Sequence, residues 1–407
     1  MGWKRNDPVY LNMGKFFGRI LGLTFVVGVA TGVVMEFQFG MNWSEYSKFV
    51  GDIFGAPLAA EAIFSFFLES TFIAIYILGR NKLSKRAHWF SILMVAVGAT
   101  ISAFWIIVAN SWQQTPAGYA IRNERAELTS FYQAVFNPST LPRFFHTVDA
   151  ALITGAFFVA GIAAYLLLKN KENVVAQRAI RFAVIFGFIV SALELFPFGH
   201  ISARQVARTQ PEKIATFEGL IESREEAPMI LFGIPREEPR DVVLDIQVPG
   251  LLSWLAYGDR HHPVQGMDDF PAGTLPPFVV TFATFHLMVY LGGFFILVMF
   301  IGILLHRKNA IRKTRWFLYL MLFSIPLPII ACELGWISAE VGRQPWIVYK
   351  LLRTTDGVSV TVPASQILFS IILFGVIYLL LGSLYVFLLT REIKRGPEPV
   401  TVKEVLS

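Results

Sequence analysis

The chain has 407 residues, of which 55% are hydrophobic and only 16% charged, against about 25% charged in soluble domains. That composition excludes a soluble globular enzyme, and the net charge of +6 lies in short clusters between apolar runs, not massed as a nucleic-acid-binding patch. One cysteine, Cys332, excludes an internal disulfide, a covalently attached c-type haem and a cysteine-ligated iron–sulfur cluster.

A helix needs about 20 apolar residues to cross a bilayer core. Eight such runs are predicted, at 17–37, 57–79, 88–110, 146–168, 178–196, 278–305, 316–338 and 364–389. The termini and the connections near 80–87, 169–181 and 306–315 together hold 21 Lys and Arg. The alternate segments hold 14, although most of them are longer. The positive-inside rule therefore puts both termini in the cytoplasm, as an even number of spans requires. The segment 197–277 is the one large outer region. Its stretch 208–226 suits a short amphipathic helix, and the rest reads as ordered loop packed around Leu251, Trp254 and Tyr257. Pro326 and Pro328 should kink the seventh span, because proline removes a donor and clashes with the preceding turn. The expected organisation is five spans over 1–199, the outer loop over 200–277, three spans over 278–391 and a cytoplasmic tail over 392–407.

The spans carry charge where charge is costly. Glu61, Glu69, Asp149, Glu194, Glu333 and Glu340 lie within or at the ends of them. A carboxylate at the centre of a membrane helix costs roughly 2.5–3.5 kcal/mol even on lenient scales, so such residues point to function. Glu61 and Glu69 are eight apart, about 80° around a regular helix, and could share one polar track. Glu333 and Glu340 are nearly eclipsed, with Trp336 between them and Arg343 three residues beyond. For Glu340 and Arg343 an interfacial cap and a ligand site are equally consistent with the run. His146 opens the fourth span and Met288 sits inside the sixth. Each alone is ordinary, but together they offer the imidazole–thioether set of a low-spin haem. His286 lies about 200° from Met288 on the helix, so the two cannot serve one site.

Several runs carry a resemblance across nearly the whole chain. They are Gly28-Val-Ala-Thr-Gly-Val-Val-Met-Glu-Phe-Gln-Phe-Gly40 running to Asn42-Trp43, Gly51-Asp-Ile-Phe-Gly-Ala-Pro57, Phe66-Phe-Leu-Glu-Ser-Thr71, Phe145-His-Thr-Val148 and Gly342-Arg-Gln-Pro-Trp346. In this order they resemble the large subunit (subunit I) of cytochrome bd quinol oxidases. The resemblance implies an all-α integral membrane protein with one extracytoplasmic quinol-binding loop, in the cytoplasmic membrane of a bacterium or archaeon. His146 and Met288 match the axial ligands of a low-spin haem b. Glu340 matches a ligand of a high-spin haem b, with Trp336 beside it and Arg343 within reach of a haem propionate. Glu61 matches a carboxylate at the dioxygen-reducing haem, which is haem d or a third haem b, and Glu69 a proton-path acid. Lys213 and Glu218 match the charged pair that binds quinol, within Gln210-Pro-Glu-Lys-Ile-Ala-Thr-Phe-Glu218.

The implied activity is oxidation of ubiquinol or menaquinol at the outer face coupled to reduction of dioxygen to water. It builds a proton motive force without a pumping stroke. The implied partners are a second membrane subunit (subunit II), a small single-helix subunit and membrane lipid. Two departures stand out. The family has nine spans, and its first, which bears a histidine ligand of a high-spin haem, has no counterpart among the eight. An internal start of the gene model, or a short form acting only as a quinol-linked b-haem electron carrier, would each produce this. His286 also stands where relatives commonly have arginine beside the ligand-bearing methionine, so pairing with a propionate there is expected to be weaker or pH-dependent.

Overall fold

The computed structural model describes residues 7–271 and 273–398. The side chains of Val33, Met35, Glu36 and Phe39, within the first quoted run, and most of the tail expected over 392–407 lie outside the described residues. All eight spans form. The first is α1 (Pro8–Asn42), opened by Asp7, whose carboxylate caps Val9 N at 2.9 Å, and by Pro8 in the first turn. The second is α2 (Ser44–Ala60), a π turn at Glu61–Phe66 and α3 (Phe67–Leu78). The third, α4 (Lys85–Gln114), is capped by Ser84. A small hairpin of β1 (Tyr119–Arg122) and β2 (Arg125–Leu128) follows on the outer side, then the short α5 (Phe131–Val135).

The fourth span is α6 (Thr140–Lys169). The fifth is α7 (Val174–Leu193), carried on through a π turn at Glu194–Gly199 into α8 (His200–Thr209). The single amphipathic helix expected over 208–226 is instead broken at Gln210. From there α9 (Pro211–Glu218) starts on a proline and ends at Gly219, whose φ of +66° only glycine adopts freely. The loop is also more regular than expected. Strands β3 (Met229–Arg236) and β4 (Asp241–Val248) pair as an antiparallel hairpin with two register shifts, and α10 (Leu251–Tyr257) follows. The sixth span is α11 (Phe278–Arg307). The seventh is split by a turn at 324–326 into α12 (Arg315–Phe323) and α13 (Leu327–Val341), the break that the prolines predict. The two-strand turn β5 (Trp346–Val348) and β6 (Leu352–Arg353) then leads to α14 (Ala364–Arg395).

The main apolar core joins α1, α6, α7, α11 and α12. It includes Phe16, Phe157, Ala160, Ala163, Ala164, Ala176, Ala183, Val184, Val298, Met299 and Phe317. In the orientation set by the charge rule this core occupies the cytoplasmic half. Between membrane helices water supplies no driving force, so small residues and close van der Waals contact hold the bundle. The fit is tight at Gly161, where an added Cβ would fall 2.2 Å from Ile325 Cγ1 and 2.9 Å from the Met321 carbonyl. Gly161→Ala should therefore cost about 1–3 kcal/mol by overpacking. The thermal midpoint of the detergent-extracted protein should fall for this variant. It should hold or rise for Gly14→Ala, where nothing lies within 4 Å of the added methyl.

Candidate functional site

The polar residues collect at the outer ends of the spans, above the apolar core. Gln114, the last residue of α4, uses both ends of its amide. Its Oε1 accepts from Lys213 Nζ at 2.8 Å, and its Nε2 lies 3.4 Å from both Glu340 Oε1 and the Ala339 carbonyl. Asn110, one turn earlier, donates to Glu340 Oε1 at 3.0 Å and accepts from Arg143 on α6. Arg343 pairs with Glu340 Oε2, and its other nitrogens meet Gln113 Oε1 at 3.4 Å and the Trp346 carbonyl at 3.1 Å. The Arg143 guanidinium lies 5.6 Å from the centre of the Trp336 ring, in cation–π range. Residues of α4, α6, α9 and α13 thus form one hydrogen-bonded cluster around Glu340.

His146 lies one turn beyond Arg143 on α6. Its Nδ1 is 2.9 Å from Glu194 Oε1, the residue that opens the π turn after α7. Glu194 also faces Asp149, so the three form a chain from α6 to α7. The approach of Glu194 to His146 is an electrostatic one, since Nδ1 makes no aligned hydrogen bond among the described residues. Met288 on α11 points at α13. A Cβ added at Gly335 would lie 2.9 Å from Met288 Sδ, so the glycine makes room for the thioether. His286 points elsewhere. Its ring nitrogens lie 3.0 Å from the Phe282 and Ile230 carbonyls, which ties the β3–β4 hairpin to α11. Both ring nitrogens of His286 are thus taken up by backbone carbonyls.

Lys213 and Glu218 are both buried on α9, 2% and 4% exposed. Five residues set them about 140° apart, so they face different sides of the helix. All three Lys213 protons have acceptors, Gln114 Oε1, Gln210 Oε1 at 3.0 Å and the Ala339 carbonyl at 2.8 Å. Burial holds its ammonium well below the ordinary lysine value. Glu218 Oε2 is buried without a partner among the described residues, and burial pushes its carboxyl up to about 8. Of the pair, Glu218 is the residue with hydrogen-bonding capacity to spare.

Glu61 and Glu69 come closer to one line than a regular helix allows. The π turn beginning at Glu61 inserts one residue, which brings the two from about 80° to about 20° apart around the axis. Glu61 Oε1 accepts from Ser102 Oγ of α4 at 2.7 Å, and Glu69 packs against Gly98 of the same helix. Both half-buried acids therefore face α4, from mid-span toward the cytoplasmic end.

Asn110, Gln114, Arg143 and Glu194 carry this arrangement and were not singled out as site residues from the sequence. Their signal was positional. Asn110, Gln113 and Gln114 put three amides within one turn and a half at a span end, and Arg143 is three residues from His146 on one helix face.

Comparison with known proteins gives the chain's relatives. The family described as cytochrome bd terminal oxidase subunit I matches residues 1–397. Cytochrome bd ubiquinol oxidase subunit 1 of Bacillus subtilis (strain 168) is 42% identical over 405 residues, 97% of this chain and 86% of the relative. Cytochrome bd-II ubiquinol oxidase subunit 1 of Escherichia coli (strain K12) is 34% identical over 459 residues, 96% and 88% of the two chains. Among solved structures, a chain of the bd oxidase from Geobacillus thermodenitrificans superposes with a TM-score of 0.90 at 29% identity, covering 97% of this chain and 90% of that one.

The state of Glu218 has a pH signature. Between its ordinary value of 4.5 and its raised value of about 8, the folded chain keeps a proton that the unfolded chain has lost. Folding of the outer segment therefore weakens as pH rises through that window. The depressed Lys213 acts with the opposite sign, so the informative comparison is with Glu218→Gln. Hydrogen exchange of α9 should accelerate more between pH 5 and about pH 8.5 in the native chain than in the variant. Equal acceleration in both would refute a buried neutral Glu218.

Proposed function

The chain belongs to the cytochrome bd terminal oxidase subunit I family, and we propose that it performs the quinol:dioxygen oxidoreductase chemistry of such an oxidase from the cytoplasmic membrane. The observation that carries the reading is the gathering of His146, Met288, Trp336, Glu340 and Arg343 at the outer ends of packed helices. The buried quinol-loop helix α9 is hydrogen-bonded directly to that cluster. The reading of a carrier without oxygen chemistry is not favoured, because both curated relatives are oxidase subunits matched over most of their length.

The residues suit haem. His146 is an imidazole with a carboxylate, Glu194, 2.9 Å from its Nδ1, Met288 has a glycine-made space at Gly335, and Glu340 is a carboxylate ringed by cations that also suit propionates. In this reading His146 and Met288 hold a low-spin haem b, and Glu340 a high-spin haem b. Glu61 stands at a dioxygen site with haem d or a third haem b. When bound, these groups supply the one-electron relay and the dioxygen-binding iron.

The protein's own share is positioning and proton handling. Glu218, with a free carboxyl oxygen, is the acceptor or donor for a quinol hydroxyl, and Lys213 fixes α9 against α4 and α13 beneath it. Quinol protons leave on the outer side, where α9 lies. Protons for water formation enter from the cytoplasmic side along Glu69 and Glu61, aligned by the π turn. Opposite sidedness of release and uptake separates charge without a pumping stroke. Either ubiquinol or menaquinol suits this chemistry, and subunit II, a single-helix subunit and lipid are the expected neighbours of the exposed apolar faces of α3 and α14.

In the purified complex, His146→Ala and Met288→Leu should each abolish the low-spin haem b band in reduced-minus-oxidised spectra, together with quinol-dependent oxygen uptake. A retained low-spin band in both variants would overturn the assignment. Glu69→Gln should keep the haem bands and slow oxygen uptake about a hundredfold or more, the scale of a lost proton-transfer group. Uptake at the native rate would remove Glu69 from the proton path.

A further inference from the structure

The cluster around Glu340 has more positive charge than its own acids balance. Arg143, Lys213 and Arg343 all act on the one Glu340 carboxylate. Glu212 also acts on Lys213, but its carboxylate is matched by Lys350 Nζ at 3.5 Å. Among the described residues the cluster therefore holds more basic groups than acidic ones. A buried charge without a counter-ion costs several kcal/mol, and cores do not hold such excess idly.

The three cations differ in how fully they are used. Lys213 has an acceptor for each proton, and Arg343 has one for each of its three nitrogens. Arg143 donates through Nη2 to Asn110 and lies against Trp336, while its Nε is buried with no acceptor among the described residues. Stacking against Trp336 and the bond to Asn110 hold the guanidinium in place. Arg143 also stands three residues from His146 on α6, about 60° round and one turn nearer the outer face. The unused donor thus lies between the histidine on its own helix and the Glu340 cluster.

We propose that Arg143 is a binding residue for a carboxylate of the haem held by His146, its Nε–H donating to a propionate oxygen while Asn110 and Trp336 fix the guanidinium. The proposal rests on the assignment of His146 as a haem ligand. The propionates supply the negative charge that the cluster lacks, and a planar guanidinium is suited to this contact because it donates sideways through Nε while Nη2 stays engaged. A phospholipid phosphate at the outer surface is the other anion of matching chemistry.

The test is spectroelectrochemical titration of the intact complex in nanodiscs of zwitterionic lipid and of anionic lipid, for the native protein, Arg143→Lys and Arg143→Gln. Loss of a positive charge beside the propionates favours the ferric state. Arg143→Gln should raise the ferric-to-ferrous ratio of the low-spin haem at fixed potential about tenfold, the scale of one unit charge at roughly 10 Å in an effective dielectric of about 20. Arg143→Lys should restore the native ratio but shift the propionate bending mode in resonance Raman spectra, because the Nε donor is gone. Native ratios in Arg143→Gln with full haem content would overturn the proposal. So would an effect confined to anionic nanodiscs, which would assign the anion to lipid. If Arg143→Gln does not assemble, Arg143→Lys decides alone, and an unshifted Raman mode refutes the contact. His146→Ala tests the underlying assignment separately, since its failure shows as a retained low-spin band.

Discussion

The side-chain amide of Gln114 is the joint on which the outer half of the molecule depends. It faces Lys213 with its oxygen and Glu340 with its nitrogen, and so makes α4, α9 and α13 one unit. An ammonium and a carboxylate in direct contact would meet the same electrostatic need, but two separate partners give the amide a direction. Reversing it would leave Lys213 facing an NH2 group and Glu340 facing a carbonyl oxygen. In a water-poor setting that is a loss of two charge-assisted hydrogen bonds, each worth about 1.5–3 kcal/mol. The α9 helix of the outer loop is therefore fixed with respect to Glu340, although α9 lies outside the membrane-crossing helices.

A division of labour along the membrane normal follows. The cytoplasmic half is apolar and close-packed, with runs of alanine on α6 and α7 and glycines at 161, 187 and 302 that leave no room for a methyl. The outer half carries the amides, the cations and the proposed ligands. Polar groups weaken packing but fix direction, and small apolar residues do the reverse. A rigid lower half lets the upper half hold charges whose burial it could not support alone. Glu61 and Glu69 are the exception, acids that extend from mid-span toward the cytoplasmic end, and they do so on the sparsely packed second span.

The spans, their direction and the break at Pro326 were legible because each rests on a strong local signal: apolar length, Lys and Arg density, a missing backbone donor. The candidate ligands were legible only as types in an order. The connections were not. Nothing local marks Gln114 as different from any amide at a helix end, and its partners lie 99 and 226 residues away in sequence. Glu194 looked unassigned for the same reason, since its partner His146 is on another helix. The π turn at Glu61 was hidden too. A run such as Glu-Ala-Ile-Phe-Ser-Phe fits an α-helix equally well, and tertiary packing against α4 decides which forms. The β3–β4 hairpin was missed because its strands carry bulges that blur the alternation of faces.

The π turn also bears on what two acids eight residues apart can do together. On a regular helix such a spacing turns one carboxylate well away from the other, and a proton passing between them would have to round the helix. One inserted residue removes most of that angle, at the cost of a weaker hydrogen-bond ladder over a single turn. The acids then stand in line along α4, separated by about 11 Å of helix rise, a gap that side-chain reach alone does not close. Ser102, already donating to Glu61, supplies a hydroxyl at one end of the gap. A hydroxyl both donates and accepts, so it passes hydrogen-bond order in either direction without carrying charge itself. In the proposed relay the carboxylates hold protons and neutral groups of α4 connect them, with α4 continuing outward to Asn110 and Gln114 at the opposite end of the same helix.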